Sequence, residues 1–283
     1  MIWTATKLKA KVRNMSGGDN DRARMFIRNF VMERFLERVA LSPYRNNFIL
    51  KGGMLVASIV GLETRATMDI DTTVKSLPLT MDNARRVVED IIRTDVQDGV
   101  SFTITKASDI MLEEHEYAGI RFMLEASLDK LKQAIKVDIS TGDIITPGAV
   151  EYSYKLMFED RSVSVWTYNL ETVLGEKLET IMARETANTR MRDFYDIHIL
   201  MNQKTVDYKL LQSAFLATSE KRGTTALISR FDAILEAIRS DRTMEGLWEK
   251  YREENFFVGD LTWEDVNQNV KKLKEATFEV SAK

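Results

Sequence analysis

The feature that most constrains the fold of this chain is a change in hydrophobic periodicity near residue 166. Before it, strand-like runs alternate with helical segments; beyond it, apolar residues recur at helical spacing in every long segment. The strand-like runs are VSFTITKAS (100–108), AGIRFMLEASL (118–128) and AIKVDIS (134–140). The pattern predicts the α+β class, with an α+β domain over residues 1–165 and a helical domain over residues 166–283.

Composition narrows the chemistry that the chain can carry. Its 283 residues include no cysteine and only two histidines, His115 and His198. Disulfides and thiolate metal sites are therefore excluded, and a zinc enzyme or a serine-type triad is disfavoured. A metal ion would be held mostly by oxygen, which suits magnesium or manganese. The net charge of −3 excludes a uniformly basic surface for nucleic acid, although it is compatible with a local basic patch.

The sequence also bears on location. The first residues, MIWTATKLKAKVRN, contain neither a long apolar core nor a signal cleavage pattern. No run approaches the roughly 20 apolar residues that a bilayer-spanning helix needs. We therefore expect a cytoplasmic protein with no membrane partner.

Acidic residues occupy alternate positions in RATMDIDTTV (65–74). Residues two apart in a strand point to the same face, so Asp69 and Asp71 stand side by side if this segment is a strand. Two close carboxylates repel each other unless a cation or a shared proton lies between them. The segment is either a polar strand end that leads into a turn or part of a metal site.

A third acidic residue favours the metal site. In AIKVDIS, the alternate apolar residues share one face and leave Asp138 on the other. Asp138 can therefore project from the same sheet as Asp69 and Asp71. Three carboxylates on one sheet face predict a divalent metal site with all three residues as ligands.

A glycine pair precedes these carboxylates. Gly52 and Gly53 read as a turn that opens a short helix, whose free N–H groups can bind phosphate oxygens. The alternative is a tight turn that only requires positive φ, and Lys51 beside it is then a solvated side chain. Taken together, the glycine turn and the three carboxylates predict a site for magnesium and a triphosphate.

One lysine of the helical part lies on an apolar stripe. In NLETVLGEKLETIMARE (169–185), Lys177 falls within the stripe, and Arg184 follows seven residues later on the same face. Burying an ammonium is costly unless it has an anionic partner. Lys177 therefore either snorkels at the edge of the interface or faces phosphates in a cleft.

The segment TRMRDFYDIHIL (189–200) presents a similar case. On a helical wheel, Asp193 falls within the apolar arc and Asp196 at its margin. Asp193 is therefore the better candidate for a general base or for a group that orients a substrate hydroxyl. The alternative is an ion pair of Asp193 with Arg190, Arg192 or Lys177.

These motifs resemble the DNA polymerase β-like nucleotidyltransferase superfamily. Its hallmark is Gly-Gly or Gly-Ser at a helix start, Asp-x-Asp on the next strand and a third acidic residue on a later strand. More narrowly, ILKGGMLV, RATMDID, KVDIS, GEKLETIMAR and RDFYDI resemble the AbiEii-type toxins of type IV abortive-infection toxin–antitoxin systems. The resemblance implies the nucleotidyltransferase fold, a mixed sheet flanked by helices. It also implies that the C-terminal helical bundle domain contributes to the active-site cleft.

The resemblance assigns roles to residues of this sequence. In such enzymes, carboxylates hold Mg²⁺ or Mn²⁺ while an acceptor hydroxyl attacks the α-phosphate of an NTP and expels pyrophosphate. Asp69, Asp71 and Asp138 match the metal ligands, and Asp138 would also activate the hydroxyl. Lys177 matches the essential lysine that neutralises phosphate charge, and Asp193 matches the acidic residue after it. The implied nucleotide-binding residues are Lys51, Gly52, Gly53, Thr67, Arg184 and Arg190.

The implied function is that of a growth-inhibiting toxin in phage defence, opposed by a cognate antitoxin. The NTP would be GTP or a pyrimidine NTP, and the acceptor would be RNA, the 3′ end of tRNA. Basic residues available for RNA are Arg184, Arg190, Arg192 and Lys271–Lys274. Three alternatives stay open: a small-molecule acceptor, as in antibiotic nucleotidyltransferases, a protein acceptor, and a non-catalytic module that binds a nucleotide.

Overall fold

The computed structural model describes residues 3–110 and 119–279, so His115 and the first residue of the run at 118–128 lie outside the described part. The helices are α1 (Ala5–Ser16), α2 (Asn20–Leu41), α3 (Gly52–Val60), α4 (Met81–Arg93), α5 (Leu170–Arg184), α6 (Met191–Gln203), α7 (Tyr208–Arg222), α8 (Phe231–Ser240), α9 (Arg242–Glu254) and α10 (Trp263–Glu279). The strands are β1 (Phe48–Lys51), β2 (Asp69–Val74), β3 (Ser101–Ile110), β4 (Gly119–Leu128), β5 (Leu131–Thr141), β6 (Val150–Lys155) and β7 (Ser162–Thr167).

The strands form one mixed seven-stranded sheet in the order β3-β4-β5-β2-β1-β7-β6. β2 runs parallel to β5 and β1 runs parallel to β7, whereas the other neighbours are antiparallel. β4 and β5 form a hairpin closed by the pair Leu128 and Leu131, which leaves a two-residue turn between them. A mixed sheet with flanking helices confirms the predicted α+β class.

The central strands have one apolar and one polar face. Ile70, Phe122, Val137 and Ile139 are at most 1% exposed and belong to the core, and α2 packs against β5 and β7. The residues between them in sequence are polar and partly exposed. Since a register slip of one residue would move the polar side chains into the core, this alternation fixes the face on which the carboxylates lie.

The helix α2 buries an ionisable side chain, Glu33, in the core. Glu33 is 1% exposed, and its carboxylate accepts hydrogen bonds from the Met157 N–H at 3.1 Å and from Asn29 Nδ2 at 2.9 Å. Burial raises the pKa of Glu33 to about 8, against the lowering effect of these hydrogen bonds and of Arg34. Glu33 is therefore largely protonated at neutral pH.

The sequence patterns did not predict α1, β6 and β7. In β6, only Tyr154 is fully buried, because this strand forms an edge of the sheet. An edge strand with most side chains exposed lacks the apolar run by which strands are recognised. β7 does alternate, with Val163, Val165 and Thr167 buried, but it has only six residues.

The chain divides into two compact units. The first contains residues 1–62, 66–143 and 150–167 and holds the sheet with α1–α4. The second contains residues 63–65, 144–149 and 168–283 and holds α5–α10. No helix within residues 3–110 and 119–279 is both long and apolar enough to cross a lipid bilayer.

The helices of the second unit pack closely around Gly175 of α5. A Cβ at this glycine would lie 3.0 Å from the backbone nitrogen of Phe215 and 3.3 Å from the carbonyl carbon of Ala214, both on α7. The absence of a side chain at residue 175 therefore allows the backbones of α5 and α7 to approach each other. Lys177 follows two residues later on α5.

Candidate functional site

A row of charged residues crosses four adjacent strands of the sheet. Lys51 on β1 is the register partner of Asp71 on β2, Asp71 is the partner of Asp138 on β5, and Asp138 is the partner of Arg121 on β4. Neighbouring strands lie about 4.8 Å apart, so Asp71 and Asp138 stand side by side. Asp69 lies two residues before Asp71 and shares its face.

Two of the three carboxylates are paired with cations of the sheet. Arg121 donates two hydrogen bonds to Asp138, from Nε to Oδ1 and from a terminal nitrogen to Oδ2, both at 2.8 Å. Lys136 Nζ lies 2.6 Å from Asp69 Oδ2. Asp71 forms no ion pair with any residue of 3–110 and 119–279. The carboxylate at the centre of the row is therefore the one left for an external cation.

Gly52 brings the start of α3 against Asp71. It has φ +65°, and a Cβ built on it would lie 2.2 Å from Asp71 Oδ2. Lys51 caps α3 without a side-chain hydrogen bond to its first N–H groups. Because the N-terminus of a helix carries partial positive charge and unpaired donors, this arrangement suits an anionic group close to the carboxylates. Gly53 is the second residue of the same helix.

Lys51 is held by a carboxylate that the sequence did not single out. Its Nζ lies 2.8 Å from Asp143 Oδ2, which also accepts a hydrogen bond from Ser140 Oγ at 2.8 Å. Burial alone would raise the pKa of Asp143, but the charge of Lys51 and the hydrogen bonds from Lys51, Thr73 and Ser140 outweigh it and lower the pKa. The ammonium of Lys51 is therefore fixed beside the row by an ionised partner.

The second unit contains its own charged cluster, centred on Lys177. Lys177 Nζ lies 2.7 Å from Asp193 Oδ1 and 2.7 Å from Asp196 Oδ2. Arg190 Nε lies 3.2 Å from Asp193 Oδ2, and Arg65 Nε donates to Asp196 Oδ1 at 2.6 Å. Positive and negative groups thus alternate along the series Arg65, Asp196, Lys177, Asp193 and Arg190.

Both aspartates of this cluster are buried and ionised. Asp193 is 1% and Asp196 0% exposed. Burial would raise their pKa values, but Lys177 with Arg190 for Asp193, and Arg65 with Lys177 for Asp196, lower both. A carboxyl whose pKa is lowered does not take up a proton near neutral pH, so Asp193 is better suited to orienting Lys177 than to acting as a general base.

The remaining predicted residues have structural partners. Thr67 is 9% exposed, and its hydroxyl donates to the Asp69 carbonyl oxygen at 3.3 Å. Arg184 is the last residue of α5. In the basic run of α10, Lys274 lies 2.7 Å from Asp232 and Lys271 lies 3.9 Å from Glu275. His198 is half-buried, and burial lowers its pKa.

Several charged residues of these clusters were not predicted as site residues. Lys136 lies two residues before Asp138 on the polar face of β5, and the hairpin register places Arg121 opposite Asp138. Asp196 was placed at the margin of the apolar face, although it is fully buried. Lys136 and Arg121 could have been found from the alternation of side chains along their strands. Asp196 could have been found as the second aspartate of RDFYDI.

The donor set of the row fits a hard divalent cation. Asp69, Asp71 and Asp138 supply only oxygen atoms, share one sheet face, and lie beside a helix start that suits phosphate. No group of three His, Asp or Glu side chains within the described residues is already arranged as a metal cluster. This agrees with the pairing of Asp69 and Asp138 to side-chain cations.

Comparisons with known proteins place the chain in context. A family model described as nucleotidyl transferase AbiEii toxin, type IV TA system, matches residues 34–270. Among solved structures, MenT4, a nucleotidyltransferase toxin from Mycobacterium tuberculosis, is 14% identical over 95% of this chain and 98% of its own, with a TM-score of 0.58. JHP933 from Helicobacter pylori is 14% identical over 92% and 94%, with a TM-score of 0.52. At this identity the structures show the fold, which confirms the predicted nucleotidyltransferase fold. No protein of curated function matches the sequence.

Proposed function

The chain belongs to the AbiEii family of nucleotidyltransferase toxins of type IV toxin–antitoxin systems, and from this premise we propose that it transfers a nucleoside monophosphate from an NTP to an RNA acceptor. The proposed acceptor is the 3′ end of tRNA, and the proposed donor is GTP or a pyrimidine NTP. As a family toxin, the protein has an NTP substrate and an antitoxin partner. Its proposed role in the cell is growth inhibition in phage defence.

The observation that carries the proposed chemistry is the placement of Asp71 beside Asp138 and against the start of α3. In the reaction, the oxygen of the acceptor hydroxyl forms a bond to the α-phosphorus. The bond from the α-phosphorus to the bridging oxygen of the β-phosphate breaks, and pyrophosphate leaves. The hydroxyl proton passes to a carboxylate, for which we propose Asp138.

We assign metal binding to the carboxylates and phosphate binding to the start of α3. Asp69, Asp71 and Asp138 would hold Mg²⁺ or Mn²⁺, which when bound supplies positive charge to the phosphate oxygens. The N–H groups of Gly52 and Gly53 at the start of α3 would bind phosphate oxygens directly, because the first N–H groups of a helix have no partner within the helix.

The cationic side chains have separate proposed roles. Lys51, fixed by Asp143, would add positive charge at the helix start. Lys177 would neutralise phosphate charge, with Asp193 and Asp196 holding its ammonium in place. Thr67, Arg184 and Arg190 are the further proposed nucleotide contacts.

One observation favours a second acceptor class. The basic run of α10 is partly neutralised, since Lys274 pairs with Asp232 and Lys271 with Glu275, and the net charge of the chain is −3. A small-molecule or protein acceptor does not require a basic contact surface for a nucleic-acid backbone. The alternative proposal is therefore the same transfer to a small molecule or a protein.

The test is a transfer assay with labelled nucleotides. The purified protein is incubated with total RNA, Mg²⁺ and each α-³²P-labelled NTP separately, beside the Asp71→Asn variant. Label in a tRNA-sized band that is absent with the variant supports the proposal and identifies the nucleotide. Label that appears only on protein or small-molecule fractions refutes the RNA acceptor and supports the alternative. No label on any fraction refutes the proposed transfer under those conditions.

A further inference from the structure

We propose that Arg121 and Lys136 are built-in counterions of the carboxylate row, Asp69, Asp71 and Asp138, and that they compete with a divalent metal for these carboxylates. This inference deepens the proposed function, because it rests on the assignment of Asp69, Asp71 and Asp138 as metal ligands. It assigns a role to two cations that neither the sequence motifs nor the family assignment accounts for. Their contacts lie entirely within the first unit.

The two pairs occupy carboxylate oxygens that a metal would also use. Both oxygens of Asp138 accept hydrogen bonds from Arg121 at 2.8 Å, and Lys136 lies 2.6 Å from Asp69 Oδ2. An oxygen that ligates Mg²⁺ or Mn²⁺ directs its lone pairs at the metal, at about 2.1 Å for Mg²⁺. The bidentate contact occupies one lone pair on each Asp138 oxygen, so a metal at Asp138 must either share those oxygens with the guanidinium or displace it.

The field of the whole row acts on Arg121. It hydrogen-bonds Asp138, whose register partner Asp71 and whose neighbour Asp69 lie on the same sheet face. The guanidinium therefore lies within the combined field of all three carboxylates. Without a metal, it relieves the repulsion that three close negative charges would otherwise exert on one another.

Both cations are able to move away. The side chain of Arg121 is 39% exposed and that of Lys136 is 25% exposed, whereas the side chains of Asp138 and Asp69 are 16% and 22% exposed. A long side chain at the rim of the site can move into solvent while the strand that carries it stays in the sheet. The carboxylates are thus available to a metal, but only in competition with these two side chains.

The competition predicts a gain in metal affinity when a counterion is removed. Arg121→Gln and Lys136→Gln should each bind Mn²⁺ alone more tightly than the unmodified protein, and the double variant more tightly than either. Since the charge-assisted hydrogen bonds of this pair are weakened by its partial exposure to solvent, we expect a gain in Mn²⁺ affinity of about fivefold to tenfold for Arg121→Gln. A gain of this kind cannot result from damage to the fold.

Mn²⁺ binding is measured by the loss of the free-ion electron paramagnetic resonance signal, in the absence of nucleotide. The matched control is Lys132→Gln, which removes a cation from the same face of β5 that is paired with Glu125 at 2.6 Å instead. Lys132 lies four residues, or about 13 Å along the strand, from Lys136. Its removal should change Mn²⁺ affinity by less than about twofold, because salt screens charges at this distance.

A second substitution locates the added binding. Asp71→Asn in the Arg121→Gln background should abolish the gain, which assigns the metal to the carboxylate row. Equal or weaker Mn²⁺ binding by both single variants, with circular dichroism unchanged, overturns the inference. The same gain in Lys132→Gln also overturns it, because the effect would then be one of net charge alone.

The outcome is separable from that of the transfer assay. If no nucleotide is transferred to any acceptor and Mn²⁺ affinity still rises in Arg121→Gln, the proposed transfer fails and the counterion role stands. If label is transferred and Mn²⁺ affinity does not rise in either single variant, the transfer stands and the counterion role fails.

Discussion

Replacing Gly52 with alanine adds one methyl group where α3 meets the carboxylate row. Gly52 has φ +65°, and the added Cβ would lie 2.2 Å from Asp71 Oδ2 and 2.8 Å from Asp71 Cβ. The first contact could be relieved by turning the carboxylate. The second could not, because Asp71 Cβ is bonded to the backbone. The start of α3 or β2 must therefore shift, and Asp71 loses its position.

The magnitude follows from two contributions. A left-handed conformation costs alanine about 1–2 kcal/mol, and overpacking adds about 1–3 kcal/mol, so the free energy of unfolding should fall by about 2–5 kcal/mol. Gly17→Ala is the matched control, since Gly17 has φ +59° and no atom within 4 Å of an added Cβ. It should lose only the conformational contribution. The difference between the two variants isolates the contact with Asp71.

Urea unfolding followed by circular dichroism measures both losses, and the labelled-nucleotide assay measures transfer. A displacement of about 1 Å in a reacting group can cost about 100-fold in rate, so we expect Gly52→Ala to lose transfer on that scale and Gly17→Ala to keep it. If the free energy of unfolding falls equally in the two variants, the contact with Asp71 does not contribute to the loss. If Gly52→Ala transfers nucleotide normally, the position of Asp71 does not limit the reaction.

Three further predictions concern buried charge. Lys177→Met should lower the free energy of unfolding by about 3 kcal/mol in urea titrations, because it leaves Asp193 and Asp196 without their shared cation; an unchanged midpoint would contradict this. The pKa of Asp193 is lowered in the folded state. Its ionised carboxylate therefore adds to the free energy of unfolding above the unfolded pKa of about 3.9, and this addition is lost as the pH falls through the folded pKa. The stability difference between the unmodified protein and Asp193→Asn should therefore be constant from pH 5 to 8 and shrink below about pH 4; a difference that grows in acid would refute the sign. Glu33 has a folded pKa of about 8, so the folded state binds the extra proton and stability falls as pH rises from about 4.3 to 8. Glu33→Gln should gain stability relative to the unmodified protein between pH 5 and pH 8, and a pH-independent difference in thermal unfolding would refute this.

Local patterns predicted the strands that carry the site. The alternation in RATMDIDTTV is typical of a strand, and β2 spans Asp69–Val74 within this segment. The alternation in AIKVDIS placed Asp138 on the polar face of β5. These predictions succeeded because period-2 burial is a local property of each strand.

The partners of the site residues were beyond such reasoning. The alternation of side chains along each strand does not set the register between β2 and β5, because α4, β3 and β4 lie between these strands in the sequence. A helical wheel gives the direction of a side chain but not its depth, so it placed Asp196 at a margin although the residue is fully buried. Asp196 is stable there because Arg65 and Lys177 contact it, and those contacts depend on the tertiary fold.

The β4–β5 hairpin has a consequence for the order in which the carboxylate row is assembled during folding. Arg121 and Asp138 are 17 positions apart and meet when a two-residue turn closes, whereas Asp71 reaches Asp138 only after a parallel strand pairs across a long crossover. Local hairpins close in microseconds, and non-local parallel pairing is slower. We therefore expect Asp138 to be paired with Arg121 before β2 joins the sheet. The repulsion between Asp71 and Asp138 is then reduced at the moment when the two carboxylates approach each other during folding.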